Sequence, residues 1–255
     1  MEIKHRHKKR WLSPSSINTY LRCPNRFFRR YVLKQPTKLN IHLLRGSAVH
    51  KAIERFFRED YAAADSVYYG DIRRNLLDLF KEEWSNRKDQ LLNLDLKPQD
   101  LTFYYHDSQK MLINFLHDFI RSEGSYDGQS EFEMSIFNKN WYLCGRIDRI
   151  IGNKNPPLLI DYKTCKSIDP ANKDYRRQMG IYQILYEEKY GIKPKTAIHY
   201  LKFLNGLKEV DVSEAEIKDL KRTIQKVHHK TLSTDPIDYP CTCGGWCEKE
   251  FITTR

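Results

Sequence analysis

No apolar run in the 255 residues approaches the roughly 20 needed to cross a bilayer. The basic start of the chain (Lys4, Arg6, Lys8, Lys9, Arg10) is followed by no apolar stretch, so it does not read as an export signal. Internal repeats, heptad runs and low-complexity linkers are missing too, which leaves a folded globular chain as the expectation. Membrane insertion and secretion are set aside, and the cytoplasm is the expected location. Acidic residues are the minority charge, 33 Asp and Glu against 44 Lys and Arg, and the net charge of +11 favours a polyanionic partner. Six cysteines without an export signal point to thiol chemistry or metal ligation more than to disulfides.

The hydrophobic fraction of 40% and aromatic fraction of 13% are enough for one substantial core, with room for an insertion. Residues 1–12 read as a basic arm and 13–255 as one domain. Ser13-Pro14 has the form of a helix start, serine at the N-cap and proline in the first turn. Pro24 ends that helix and opens another carrying Phe27, Phe28 and Tyr31, and a third is expected from about Ser47 through Phe57. A helical insertion is expected over about 60–124, where Leu112, Phe115, Leu116 and Phe119 recur at helical spacing. After Gly124 the pattern turns to strands, at Glu131–Phe137, Trp141–Ile151 and Leu158–Lys163, arranged as a meander. Helices are expected over Asp174–Tyr190 and Ser213–Lys230, a strand over Thr196–Phe203, and an irregular cysteine-containing segment over 236–255. The sum is an α/β fold, a central mixed sheet flanked by helices.

The sharpest chemical feature is a pair of segments, Gly145-Arg146-Ile147-Asp148 and Ile160-Asp161-Tyr162-Lys163, around the turn signal Gly152-Asn153-Lys154-Asn155-Pro156. A hairpin closed symmetrically on that turn sets Asp148 opposite Asp161, with Cβ atoms about 5 Å apart. Lys163, two residues after Asp161, projects from the same face. Two carboxylates can share a divalent ion of the Mg²⁺ or Mn²⁺ type, which activates water and stabilises charge on a phosphodiester. A neighbouring ammonium can orient that water or neutralise the developing charge. An Asp-x-Lys alone is common in surface hairpins; the mirrored acid and the apolar strands raise its weight.

His50 shares a helical face with Ile53 and Phe57, the usual setting of a core histidine, yet neutral imidazole is also a competent Mn²⁺ ligand. Gln178 and Tyr182 stand four residues apart and share a helical face. Tyr68, Tyr69, Tyr104 and Tyr105 could stack on unpaired bases, but packing within the insertion is the plainer expectation.

In order along the chain these elements resemble the RecB-type branch of the PD-(D/E)XK nucleases, including AddAB-type nuclease domains and CRISPR-associated adaptation nucleases. The resemblance rests on Ser13-Pro14-Ser15-Ser16 with Tyr20, Cys23-Pro24, Phe27 and Tyr31, and Arg45-Gly46-Ser47-Ala48-Val49-His50. It continues through Gly145 to Asp148, Asp161-Tyr162-Lys163, and Gln178 with Tyr182, while 60–124 carries no matching motif. It implies a restriction-endonuclease-like sheet and metal ligation by His50, Asp148, Asp161 and the main-chain carbonyl of Tyr162. Lys163 would be the catalytic lysine, with Gln178 and Tyr182 supporting the site and the DNA strand. No phosphate-binding loop of a helicase is found, so any motor is expected to be a separate protein.

Cys23 with Cys241, Cys243 and Cys247 is similar to the set that holds a [4Fe–4S] cluster in iron–sulfur members of that branch, one cysteine near the N-terminus joining three near the C-terminus. A Cys₄ zinc site is the rival. The family commonly places two and then five residues between its last three cysteines, whereas here the run is Cys241-Thr-Cys243-Gly-Gly-Trp-Cys247, with glycines that permit a tight wrap. Cys144 and Cys165 read as packing residues. The resulting expectation is a metal-dependent DNA exonuclease or end-processing enzyme of repair or recombination, acting on single-stranded DNA or DNA ends. The alternatives are an adaptation nuclease working with an integrase complex, and a non-catalytic iron–sulfur DNA-binding module.

Overall fold

The computed structural model describes residues 9–59, 69–123, 130–152 and 154–252. The arm's residues 1–8, the link 60–68, the segment 124–129 with Gly124, and Asn153 of the expected turn lie outside the described residues. Lys9 and Arg10 are described: the Lys9 ammonium sits over the Tyr142 ring, and Arg10 Nε donates to the Thr231 carbonyl at 3.2 Å.

Helix α1 (Pro14–Arg22) begins as the Ser-Pro signal predicts, its Ser13 and Ser16 side chains closing a reciprocal cap. Cys23 ends it in extended backbone and Pro24 opens α2 (Pro24–Phe27), which runs on into a π-helical turn at Phe28–Val32. The next helix, α3 (Ile41–Arg58), starts six residues before the expected Ser47. Asn40 caps it by accepting the Leu43 N–H at 3.1 Å, and Ile41 and Leu44 are buried against Leu91. That added turn and a half is stabilised by a neighbour distant in sequence. Where an insertion is expected, the described residues form three helices, α4 (Tyr69–Ser85), α5 (Lys88–Leu92) and α6 (Pro98–Glu123).

Strands β1 (Ser130–Asn138), β2 (Leu143–Ile151) and β3 (Leu158–Lys163) form the expected antiparallel meander. Helix α7 (Lys173–Tyr190) crosses over to β4 (Lys195–Tyr200), which pairs parallel with β3. An antiparallel edge, β5 (Leu207–Glu209), completes the order β1-β2-β3-β4-β5 among the described residues. The expected strand through Phe203 stops at Tyr200 because the chain turns back there. Buried Asp118 accepts the backbone N–H groups of Asn205 at 2.8 Å and Gly206 at 2.9 Å and so holds that turn. Helix α8 (Glu214–Lys230) follows, with Ser213 and Glu216 as its capping box, and then α9 (Trp246–Lys249).

The mixed sheet therefore carries helices on both faces. On one side Ile17 of α1, Phe27 of α2, Ile181 and Leu185 of α7 and Ile224 of α8 close over the strands. On the other, Ile53 and Phe57 of α3, Phe80 of α4 and Phe115 of α6 do so. Tyr105 packs on Phe80 and Trp84, and Tyr104 on His42 and under the Arg45 guanidinium, so these two tyrosines serve the interior contacts of the helical layer. Tyr68 and the Tyr69 side chain lie outside the described residues.

One irregularity positions everything that follows. Strand residues normally alternate between faces. On β2, however, Leu143 and Ile147 enter the first layer while Ile151, of the same parity, enters the second, where Arg149 lies over the Phe57 ring. On β1, Met134 and Ile136 belong with the first layer and Phe132 with the second. Both strands change face between these residues, at Asp148 and at Glu133, whose φ is +50°.

Candidate active site

Beside that change of face, β2 and β3 part. Their ladder pairs Ile151 with Leu158, Ile150 with Leu159 and Arg149 with Ile160; the next step in the register is Asp148 with Asp161. There the ladder gives way to a side-chain bond, the Tyr162 N–H donating to Asp148 Oδ2 at 2.7 Å. The symmetrical hairpin expects the two acids at that step, which the ladder approaches but does not pair. The divergence of the strands is what opens space between them.

Lys163 Nζ lies 2.6 Å from Asp161 Oδ2. It also donates to Gln178 Oε1 at 2.9 Å, while Gln178 Nε2 donates to Asp161 Oδ1 at 2.6 Å and to the Tyr182 hydroxyl at 2.8 Å. That hydroxyl in turn donates to the Arg146 carbonyl at 2.6 Å. Helix α7 thus reaches both strands through one glutamine and one tyrosine. From α3, His50 brings Nδ1 to 3.4 Å from Asp148 Oδ2, its ring edge-on to Tyr162. His50, Asp148, Asp161, Lys163, Gln178 and Tyr182 all line one cleft of about 430 Å³. Tyr162 contributes its N–H to the site while its ring is buried in the opposite layer.

The two acids are driven apart electrostatically. Burial pushes both carboxyls up, but His50 beside Asp148, together with the Tyr162 N–H, holds Asp148 below its ordinary value. Asp161 stays above its own: burial and the Asp148 charge outweigh the opposing pull of Lys163. Burial alone would lower Lys163, yet the Asp161 charge and hydrogen bond raise it, so it stands as an ammonium. Burial likewise lowers His50, and the Asp148 carboxylate more than reverses this.

A sequence description of the PD-(D/E)XK nuclease superfamily matches residues 11–249. The chain belongs to the PD-(D/E)XK nuclease superfamily. A solved structure described as a candidate exonuclease from Eubacterium rectale has the same fold, at TM-score 0.59 and 13% identity, covering 100% of this chain and 95% of that one. No curated protein matches the sequence. A PD-(D/E)XK nuclease is a hydrolase that uses divalent metal and acts on nucleic-acid phosphodiesters, and no helix among the described residues is long and apolar enough to cross a membrane.

The cleft of this PD-(D/E)XK nuclease fits a hard divalent cation by its donors, carboxylate oxygens plus one imidazole nitrogen. Asp161 Oδ2 is buried and faces the Lys163 ammonium at 2.6 Å, so Asp161 brings its negative charge into the cleft already paired with one cation. Lys51, Glu54, Arg87 and Glu133 line the cleft although the sequence reading does not single them out, and Arg146 enters that reading only as part of its strand segment. Glu133 stands opposite Asp148 on β1, Arg146 pairs with Glu133, and Arg87 comes from the link between α4 and α5, its Nη2 3.0 Å from Ser47 Oγ. Glu133 lies in an ordinary strand pattern, and Arg87 in a segment without a motif.

The four cysteines meet at the far end of the chain's course. Cys241 Sγ lies 3.6 Å from Cys243 Sγ and 3.5 Å from Cys247 Sγ, and all four sulfurs, Cys23 included, fall within 4.8 Å of one another. The Gly245 N–H points at Cys241 Sγ and the Cys247 N–H at Cys243 Sγ. Gly244 and Gly245 have φ of +61° and +81°, so the two glycines make the short wrap that the departure in spacing demands. Burial raises the Cys23 thiol, but the amides of Arg26 and Thr242 and the neighbouring thiols pull it down to about 6. Cys144 and Cys165 stand outside this group.

Proposed function

We propose that the chain is a divalent-metal-dependent DNA nuclease, an exonuclease or end-processing enzyme of repair or recombination acting on single-stranded DNA or DNA ends. The observation that carries this reading is the constellation of Asp148, Asp161 and Lys163 in one cleft, Lys163 Nζ at 2.6 Å from Asp161. Bound Mg²⁺ or Mn²⁺ would supply Lewis acidity and a water of lowered pKa. His50, Asp148, Asp161 and the Tyr162 carbonyl are the candidate holders of that ion. Lys163 places positive charge where the attacked phosphate gathers negative charge, and Gln178 keeps the ammonium from rotating away. Tyr182 pins Gln178 to β2. The excess of basic residues, net +11, supports a nucleic-acid substrate by releasing phosphate counterions.

The four cysteines, in this reading, bind a [4Fe–4S] cluster that ties α2 to the C-terminal segment, supported by a pure thiolate donor set of the required number. The sulfur separations favour a second reading, one zinc ion. Four thiolates at the roughly 2.3 Å zinc–sulfur distance stand about 3.8 Å apart, close to the spacings found.

The test is incubation of the purified chain with end-labelled linear and circular DNA, single- and double-stranded, in Mg²⁺, Mn²⁺ or EDTA. Metal-dependent loss of label from linear DNA, with circles spared, is expected. DNA binding without cleavage at full metal content of the cysteine site would overturn the enzyme reading in favour of a binding module.

A further inference from the structure

Across the β1–β2 ladder, Phe132 pairs with Arg149 and Met134 with Ile147, and the step between them is missing. Glu133 and Asp148 occupy that step. Glu133 holds φ at +50°, a left-handed conformation that a glutamate inside a strand rarely adopts. Its side chain is only 11% exposed, yet the guanidinium beside it, Arg146, is 62% exposed and well screened by water. A carboxylate has thus been turned into the cleft on a strained backbone, beside two other candidate donors and against a weak counter-charge. One ligand atom each of Glu133, His50 and Asp148 lies within 4.8 Å of the others.

We propose that Glu133 is a ligand of a divalent cation held jointly with His50 and Asp148, an inference that rests on the nuclease reading above. Carboxylate oxygens and an imidazole nitrogen are donors that such a cation accepts, and Glu133 would join the holders named above. The imidazole makes Mn²⁺ a better occupant than Mg²⁺. Asp148 stands between Glu133 of β1 and Asp161 of β3 in the strand register. A ligand set on three separate elements (α3, β1 and β2) also accounts for the strain: the left-handed turn at Glu133 aims its carboxylate at the other two.

The test measures Mn²⁺ binding to the full chain through the resonance signal of the free aquo ion, with metal-free melting temperature as the folding control. E133Q keeps shape and removes charge; it is expected to weaken Mn²⁺ binding about tenfold or more. E133G relieves the backbone, so its metal-free melting temperature should not fall although its Mn²⁺ binding does. D148N serves as the reference for loss of the cleft. Affinity in E133Q within twofold of the unmodified chain, with D148N defective, would overturn the role of Glu133 and leave the nuclease reading standing. Lower melting temperatures in E133Q and E133G at unchanged Mn²⁺ affinity would likewise overturn it, showing a structural residue. Absence of Mn²⁺ binding to the unmodified chain would overturn both readings.

Discussion

The Lys163 ammonium donates to Gln178 Oε1 at 2.9 Å, and the same amide returns a hydrogen bond to Asp161, the residue with which Lys163 is paired. A strand lysine is flexible by nature, with about 2 kcal/mol of rotamer entropy to lose on being held in one place. Here a helix residue fifteen positions downstream holds it, and Tyr182 holds that residue.

Removing the lysine should therefore separate binding from chemistry. Lys163→Ala is expected to cut DNA about a hundred- to a thousandfold more slowly while still retaining DNA, since one well-placed charge-stabilising donor contributes about 10²–10³. Gln178→Ala should lose about ten- to a hundredfold, less than the lysine itself, as expected of a positioning group. Single-turnover cleavage of labelled DNA measures both, and a Lys163→Ala enzyme with ordinary rates would sink the assignment.

Cys23 and Cys247 are buried, and their pairing of distant chain ends should show in both metal content and stability. Cys23→Ser is predicted to lose its metal and about 3 kcal/mol, roughly 10 °C in melting temperature. Cys144→Ser should keep the metal. Elemental analysis decides the occupant: iron with absorbance near 400 nm marks a cluster, one zinc per chain the tetrahedral ion.

Gly206 has no room for a side chain. A Cβ there would stand 2.2 Å from the Tyr200 carbonyl oxygen and 2.8 Å from that of Phe203. The backbone cannot yield without losing the bonds to Asp118, so Gly206→Ala should destabilise by more than about 2 kcal/mol. Urea unfolding of the variant with an unchanged midpoint would show that the β4–β5 turn is not held as described.

Glu216 offers a pH test away from the cleft. The Arg176 guanidinium, then the Ser213 amide, hold its carboxyl down at about 2 against an ordinary 4.5. A depressed acid stabilises fully above its unfolded value, and that contribution fades as pH falls toward 2. The side chain is 43% exposed, so solvent screening keeps the contribution under about 1 kcal/mol. Glu216→Gln should thus lower stability slightly at pH 7, and the difference should shrink by pH 3.

Several elements were legible because their signals are local. Ser13-Pro14 and Ser213 with Glu216 close caps within one helical turn, and the β2–β3 ladder follows the register expected of a symmetrical hairpin as far as Arg149 and Ile160. Gln178 and Tyr182 share a face by helical period alone, and so meet one target. Other features depend on partners far away in the chain. The early start of α3 needs Leu91, and the stop of β4 needs Asp118 from α6. Strand alternation says nothing of a glutamate at φ +50°, and no motif marks Arg87 as a cleft residue.

The sequence by itself determined the α/β class, the opposed carboxylates and the lysine beside them, because period and turn chemistry act between near neighbours. Tertiary structure alone decided that the strands part at Asp148, that both β1 and β2 change face there, and that Glu133 turns inward. Those choices arise where two helical layers compete for the same strands. The free energy of burying Ile147 on one side and Ile151 on the other belongs to the whole packing and to neither residue alone.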